Sequence, residues 1–382
     1  MSGRAAAATP GNERIAEGSG GGRFRAGLNT ESEPAESEPN KKAVPGEEPA
    51  SSTSSLRVMF VIPGKARGHS MVFARRQAHS LTGRGVTVDL FHLGSRTSAF
   101  HLAKEFVRFR RQLERNKPQV IHAHFGTVTA LFAALAAPFH PLVITYRGSD
   151  LNAMPPLAPR GSRLRAATGR LLSQLAALRA RRIICVSAPL RDRLWWRKGR
   201  VLIYPSGVDE TRFFPEPQWI AREKLGWPAA DRVVLFNSAG SWWIKRPDLA
   251  RAAVERARLS LPELRLEILD GTTDPARVPA LMNASDCLLL TSDAEGSPTV
   301  VQEALACNLP IVAVKVGDTE EILRGVAGTA LVERDPEAIA QALLPLVTGG
   351  QRSAGHRKVS EFSATAIAQA LCRIYNELSG PE

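Results

Sequence analysis

The sequence is poor in the residues that staple small domains or gather metal clusters. Its 382 residues contain only four cysteines, Cys185, Cys287, Cys307 and Cys372, far apart and in apolar surroundings. No Cys-x-x-Cys pair occurs, which argues against a zinc cluster or a dithiol redox motif and favours reduced, buried thiols. Long hydrophobic runs are also missing. The longest, about 130–139, is too short to span a bilayer. The N-terminus lacks an apolar h-region, so a cytoplasmic protein without a secretory leader is expected. Aromatic residues make up 6% of the chain, and no nucleic-acid reader motif accompanies them. Hydrophobic content of 44% and charged content of 23% are those of an ordinary globular enzyme, and the length allows two domains.

Basic charge is abundant but confined. The net charge of +13 divides into −2 for residues 1–55, +21 for 56–205 and −6 for 206–382. A strongly basic segment joined to a mildly acidic one favours an anionic partner, such as a membrane surface or a lipid phosphate. Nucleic acid is the rival partner, set aside because no reader motif is present.

Residues 1–55 are rich in Gly, Ala, Ser, Glu and Pro and read as a disordered tail. The run Gly18-Ser19-Gly20-Gly21-Gly22 has no strand before it and no periodic helix after it, so it is not a phosphate loop. From Leu56 onward, short apolar runs alternate with helical patterns. Strands are expected at 57–62, 86–91, 120–122, 142–145 and 182–186, with helices at 71–81, 100–115, 129–137 and 163–179 between them. After a linker at Tyr204-Pro205-Ser206-Gly207, a second series has strands at 233–236, 266–269, 287–291, 311–314 and 329–332. Its helices fall at 247–259, 298–307, 319–323 and 336–346, and a last helix spans 363–378. Continuous apolar strands alternating with helices indicate an α/β protein of two doubly wound parallel lobes. The expected division is a basic first lobe, 56–205, a second lobe, 206–362, and a final helix, 363–382, returning to the first. The default site is the cleft between the lobes.

The motif richest in chemistry is Glu295-Gly296-Ser297-Pro298-Thr299-Val300-Val301-Gln302-Glu303. A Gly-containing loop follows a strand, Ser297 is placed to cap a helix, and Pro298 suits its first position. Free N–H groups at such a helix start suit a diphosphate. Glu303, among apolar neighbours, needs a partner, which a ribose diol would provide; the alternative is a capped helix with a surface Glu.

This motif resembles that of retaining glycosyltransferases of family 4, which have the GT-B fold. Pro205-Ser206-Gly207-Val208-Asp209 resembles the family's linker, and Tyr146-Arg147-Gly148-Ser149-Asp150 its Thr-x-His-Gly-Ser-Asp turn. Leu309-Pro310-Ile311-Val312-Ala313 and Gly317-Asp318-Thr319-Glu320-Glu321-Ile322 resemble the segments after its double-Glu motif. The resemblance runs from about Leu56 to Leu378. It implies hexosyl transfer from a nucleotide diphosphate sugar, with retention, to an acceptor that is lipid-linked or a polysaccharide. Glu303 would hold the ribose and Glu295 the donor hexose. Gly296, Ser297, Pro298 and Thr299 would face sugar and diphosphate, and Lys245 would clamp the diphosphate, where charge builds in the transition state. No metal or other cofactor is implied, and Asp-x-Asp, the mark of the metal-bridged class, is absent. A sugar-nucleotide epimerase and a silent sugar-nucleotide-binding protein are the alternatives.

Two departures stand out. No Arg sits before Lys245 where family members place one, leaving Arg246 as the substitute. Arg147 stands where the family has His, and a guanidinium there suits an acidic donor sugar or a second phosphate contact. The loop 63–70, with Gly64, Lys65, Arg67 and Gly68, is not a P-loop. It is expected on the acceptor side, its cations meeting an acceptor phosphate or only solvent. His122 and His124 share a strand without a third ligand nearby, so no metal site is expected. The helices at 100–115 and 160–182 mix apolar stripes with arginines. They read either as faces packed on the sheet or as surfaces for the cytoplasmic leaflet of an anionic membrane.

Overall fold

The computed structural model describes residues 56–65, 71–94 and 97–380. The expected tail 1–55 and the loop residues Arg67 and Gly68 lie outside them. Six parallel strands form the first sheet: β1 (Leu56–Pro63), β2 (Val86–Leu93), β3 (Val120–His124), β4 (Leu142–Tyr146), β5 (Arg182–Cys185) and β6 (Val201–Ile203), in the order β2-β1-β3-β4-β5-β6. Five parallel strands form the second: β7 (Arg232–Asn237), β8 (Leu264–Leu269), β9 (Cys287–Leu290), β10 (Ile311–Val314) and β11 (Thr329–Val332), in the order β11-β10-β9-β7-β8. Helices cover both faces, so the strands bury both sides and read as unbroken apolar runs; Val58 to Ile62 is fully buried.

Both sheets have one topology. Each begins with a central strand, β1 or β7, flanked on one side by the second strand and on the other by the third. The winding direction reverses there, and the loops leaving the carboxyl ends of β1, β3, β7 and β9 splay apart. Such a switch point is where open α/β sheets bind ligands. Here two of them share one compact unit, 53–382.

The chain crosses between lobes twice, and the crossings touch. Val208 N–H donates to Phe362 C=O (3.0 Å), and Ala364 N–H to Val208 C=O (2.7 Å). Gly207 has φ +85°, and a Cβ there would lie 3.2 Å from Ala364 Cα, so glycine is required on two counts. The returning helix, Ala364–Ser379, packs on the first sheet, burying Ile367, Ala368, Leu371, Ile374 and Tyr375 against Val58, Phe60, Ile62, Val120 and Val143. The Ser363 hydroxyl caps it, accepting from Ala366 N–H.

Several elements escape the periodicity. The strand β6 has three residues, too few to show alternation, and lies just before the expected linker, where no element is expected. The helices Gln218–Leu225 and Val278–Ala284 are also short. The stripe Leu164, Leu171, Leu175 and Leu178 of the Arg160–Arg179 helix faces solvent, while Ser173, Gln174, Ala176 and Ala177 face the sheet. Small residues let this helix lie close, and its leucines point outward.

The docking of the final helix predicts that Leu371→Ala lowers unfolding free energy by about 2–5 kcal/mol in chemical denaturation, the range for a buried leucine leaving a cavity. A loss well under 1 kcal/mol would mean the helix is not part of the core.

Candidate active site

Three adjoining cavities follow the line between the switch points. The largest, about 800 Å³, is lined from the first lobe by Met71, Phe73 and Arg76 and from the second by Asn237, Gly271, Thr299 and Glu303. It shares Ser149 and Gly240 with a middle cavity of about 220 Å³, where Arg147, Gly148, Lys245, Glu295 and Gly296 meet. That cavity shares Asn152, Ala153, Ala294 and Glu295 with a third, about 280 Å³, which Arg193, Lys315 and Arg334 also line.

The lobes meet backbone to backbone at the middle cavity. A Cβ on Gly296 would lie 2.1 Å from the Arg147 carbonyl oxygen, and one on Gly148 would lie 2.9 Å from Gly296 N. No side chain fits at either position. First-lobe donors hold the loop there. Asn152 Nδ2 donates to Glu295 C=O (2.9 Å), and the Ser187 hydroxyl donates to Gly296 C=O (2.7 Å). Asp150 shapes the opposing turn, its buried carboxylate accepting from the amides of Gly126, Arg147 and Gly148.

Glu295 and Lys245 face each other, with Lys245 Nζ 2.6 Å from Glu295 Oε1, both largely buried. The Trp242–Lys245 turn that carries the lysine is pinned to the end of β9, since Thr291 Oγ1 donates to the carbonyls of Lys245 and Arg246. Glu303 lies on the Thr299–Ala306 helix and faces Arg76 of the first lobe, with Nη1 to Oε1 3.6 Å. Burial lifts the Glu303 carboxyl to about 7, against opposing pulls from Arg76 and Arg212. Thr299 and Val300 line the large cavity, and their amides belong to the first turn, which has no intrahelical acceptors.

Some expectations need correction. Ser297 does not cap the helix. Pro298 occupies the cap position without a side-chain bond, and the helix starts at Thr299. Ser297 is buried, its hydroxyl accepting from Gln302 Nε2 (2.6 Å). Arg246 lines none of the three cavities. Its guanidinium is held by Asp248 and, at 3.4 Å, by Asp293. Lys245 lines the middle cavity, and the cation that lines the large one is Arg76, which sequence reasoning missed. Its signal was the pair Arg75-Arg76 at the start of the first helix, one turn beyond the loop that leaves a central strand. Gly64 ends β1 with φ +104°, and Lys65 is exposed. His122 hydrogen-bonds Tyr375 and Thr145 through its two ring nitrogens. Cys185, Cys287 and Cys307 are buried free thiols, and Cys372 is half-buried.

Fold and site together define a two-lobed α/β protein whose candidate site lies at two facing switch points. Sucrose-phosphate synthase from Thermosynechococcus elongatus superposes with a TM-score of 0.68 at 18% identity, over 84% of this chain and 98% of that one. Anabaena HepE, solved with UDP and glucose, gives 0.64 at 19% over 84% and 100%. The UDP-GlcNAc 2-epimerase of Methanocaldococcus jannaschii gives 0.55 at 10%. In sequence, residues 65–212 match the Glycosyltransferase Family 4 model and residues 243–349 the Glycosyl transferases group 1 model. The chain belongs to the family 4 glycosyltransferases. A D-inositol 3-phosphate glycosyltransferase of Thermobispora bispora is 29% identical over 217 residues, 47% of this chain and 50% of that protein. The putative teichuronic acid biosynthesis glycosyltransferase TuaC of Bacillus subtilis is 24% identical over 244 residues, 59% and 60%. The chain thus matches about half the length of such curated relatives.

The Glu303 environment fixes a pH dependence. The folded carboxyl keeps its proton up to about 7, whereas the unfolded one releases it near 4.5. The folded state therefore binds the extra proton within that window, and stability falls as pH rises through it, by up to about 3 kcal/mol. Asp318, also lifted to about 7 by burial, adds a slope of the same sign. Denaturation between pH 4.5 and 7.5 should show that stability of Glu303→Gln falls less, or rises more, with pH than that of the native protein; an unchanged slope would exclude Glu303 as a source.

Proposed function

We propose that the chain transfers a hexosyl group from a nucleotide diphosphate sugar to an acceptor, with retention of configuration and without a metal. The observation that carries this reading is the middle cavity. Lys245, Glu295 and the Gly296 backbone adjoin there the cavity of Glu303 and the Thr299 helix start, at the double switch point. The nucleoside fits the large cavity, with Glu303 accepting from the ribose hydroxyls. The diphosphate lies against the amides of Thr299 and Val300, and the hexose against Glu295. Lys245, drawn from Glu295 to the diphosphate, stabilises the charge that grows as the bond from C1 to the phosphate oxygen breaks. A new bond forms from C1 to the acceptor oxygen, and the acceptor's proton passes to the departing phosphate. Glu295 and Glu303 act as binding groups, not as a glycosidase pair. HepE, solved with UDP and glucose, supports a sugar-nucleotide donor. The epimerase alternative is less favoured, because both family models and the curated relatives named above are glycosyltransferases.

The acceptor in this reading is lipid-linked or a growing glycan of the cell envelope, reached at the cytoplasmic face of the membrane. A surface feature supports this. Helices Ala99–Asn116, Thr127–Ala136 and Arg160–Arg179 cover one side of the first sheet and expose Phe100, Val107, Leu135, Leu164, Leu171 and Leu178, with Phe139 93% exposed just after the second of them. Arg111, Arg115, Arg163, Arg165 and Arg170 lie on the same helices. Apolar residues beside arginines suit an anionic interface. Among the described residues, no helix is long and apolar enough to cross a membrane.

Thermal shift against UDP-, GDP- and ADP-sugars tests the donor. One nucleotide should raise Tm equally with and without EDTA, and Glu303→Ala should abolish the rise. With that donor, Lys245→Ala should lower kcat about 10²- to 10³-fold. Absence of any shift would reject the donor assignment. Separately, the protein should sediment with vesicles containing phosphatidylglycerol but not with pure phosphatidylcholine, and Leu164→Asp with Leu171→Asp should release it. Equal sedimentation of the doubly substituted protein would rule out this surface.

A further inference from the structure

Arg147 is a part-buried cation without an ion pair among the described residues. It lines the middle cavity, at the meeting point of the lobes. Its Nη1 donates to Ser206 Oγ (2.9 Å) and its Nη2 to His124 Nδ1 (3.0 Å), while Nε has no partner. The Phe73 ring lies 4.0 Å from the guanidinium carbon. Among the described residues it makes no ion pair. The acidic groups at this crevice are engaged elsewhere: Asp150 with three backbone amides, Glu295 with Lys245. His124 accepts from Arg147 through Nδ1 and is therefore neutral there, consistent with a pKa held well below its ordinary value by burial. Burial also pulls the Arg147 guanidinium down to about 9, against the opposing field of the Asp150 carboxylate, which makes no ion pair with it. A part-buried cation with an unpartnered Nε and no ion pair, at the wall of a ligand cavity, is suited to receive an anion.

Its location narrows which anion. Arg147 does not line the large cavity of Glu303 and Thr299; it lines the middle one with Glu295 and Gly296. On the donor placement proposed above, on which this inference rests, that is the sugar end of the substrate. We propose that Arg147 forms an anion subsite there, which takes a carboxylate or phosphate carried by the transferred sugar or by the acceptor, in addition to the donor's own diphosphate. Ser206 and His124 are positioning residues that present the fork, and a planar guanidinium matches either anion in a bidentate way. The subsite sets substrate class: a uronic acid donor, or an acceptor phosphorylated next to its reacting hydroxyl.

Isothermal titration of the full chain distinguishes these sources. UDP, UDP-glucose and UDP-glucuronate, with the matching GDP, GDP-mannose and GDP-mannuronate, are titrated into the native protein and Arg147→Gln, without and with inorganic phosphate. A donor carboxylate predicts that the uronate binds at least tenfold tighter than the neutral sugar, and that Arg147→Gln removes the preference while changing nucleoside diphosphate affinity less than twofold. An acceptor phosphate predicts no uronate preference; instead, phosphate should tighten binding of the neutral donor, an effect also lost in Arg147→Gln. Two results would overturn the subsite. One is an equal loss in Arg147→Gln for the bare nucleoside diphosphate and for every sugar, which would make Arg147 a diphosphate ligand. The other is neither preference nor phosphate effect in the native protein. If no nucleotide binds at all, it is the donor placement itself that fails.

Discussion

The site rests on a contact between two backbones. Gly148 and Gly296 come from different lobes, and neither tolerates a Cβ against the other's chain. This closeness lets Asn152 and Ser187 of the first lobe grip the carbonyls of Glu295 and Gly296. It also holds Arg147 and Glu295 along one small cavity. A side chain at either glycine would push the two backbones apart, and a hydrogen bond tolerates only about half an ångström of change. The buried carboxylate of Asp150 holds the first-lobe side in shape, and Gly317 serves the second, since a Cβ there would lie 2.8 Å from Gly296 C=O. Rigid supports on both sides fix the loops that carry the charges.

Those charges are arranged for exchange. Lys245 pairs with Glu295 and Arg76 with Glu303. Each pair keeps a largely buried charge from standing alone, which would be costly. A nucleotide sugar offers the reciprocal partners: hydroxyls for the carboxylates and phosphate oxygens for the cations. Binding in this reading replaces one satisfied network by another, so affinity reflects the difference between them and not the sum of the new contacts. The Arg76–Glu303 pair spans the lobes, so the same exchange would couple nucleotide binding to the interlobe contact.

The alternation of apolar runs and helical patterns was enough to foresee two parallel lobes, because strands buried on both faces leave an unmistakable record, as in Val58 to Ile62. The Glu295 to Glu303 motif was equally legible, being continuous in the chain. What the sequence hid was whatever depends on packing across distance. Nothing local tells that Arg246 turns to Asp248 and Asp293, or that Arg76 reaches Glu303 from the opposite lobe. Ser297 looks like a cap because its type and its proline neighbour fit, yet the helix starts at Thr299 with Pro298 in the cap position, and the Ser297 hydroxyl goes inward to Gln302. The leucines of Arg160–Arg179 were ambiguous in the same way. A stripe shows that one face is apolar, and only the small residues opposite decide which face meets the sheet.

The two faces of the first sheet have separate tasks. On one side the returning helix buries Leu371, Ile374 and Tyr375, tying the second crossing to the first lobe. On the other, the three helices between β2 and β5 expose their aromatic and aliphatic residues. The switch-point cleft opens at the carboxyl edge, between these faces. A lobe resting on lipid by its exposed side would therefore leave both crossings and the whole second lobe in water. Its strands would then lie along the bilayer with their carboxyl ends pointing across the surface. In that orientation the donor enters from solvent, and the acceptor arrives from the interface at the lobe where the positive charge is concentrated. The net charges of +21 in segment 56–205 and −6 in segment 206–382 accord with that orientation, since an anionic surface would attract the first lobe and mildly repel the second.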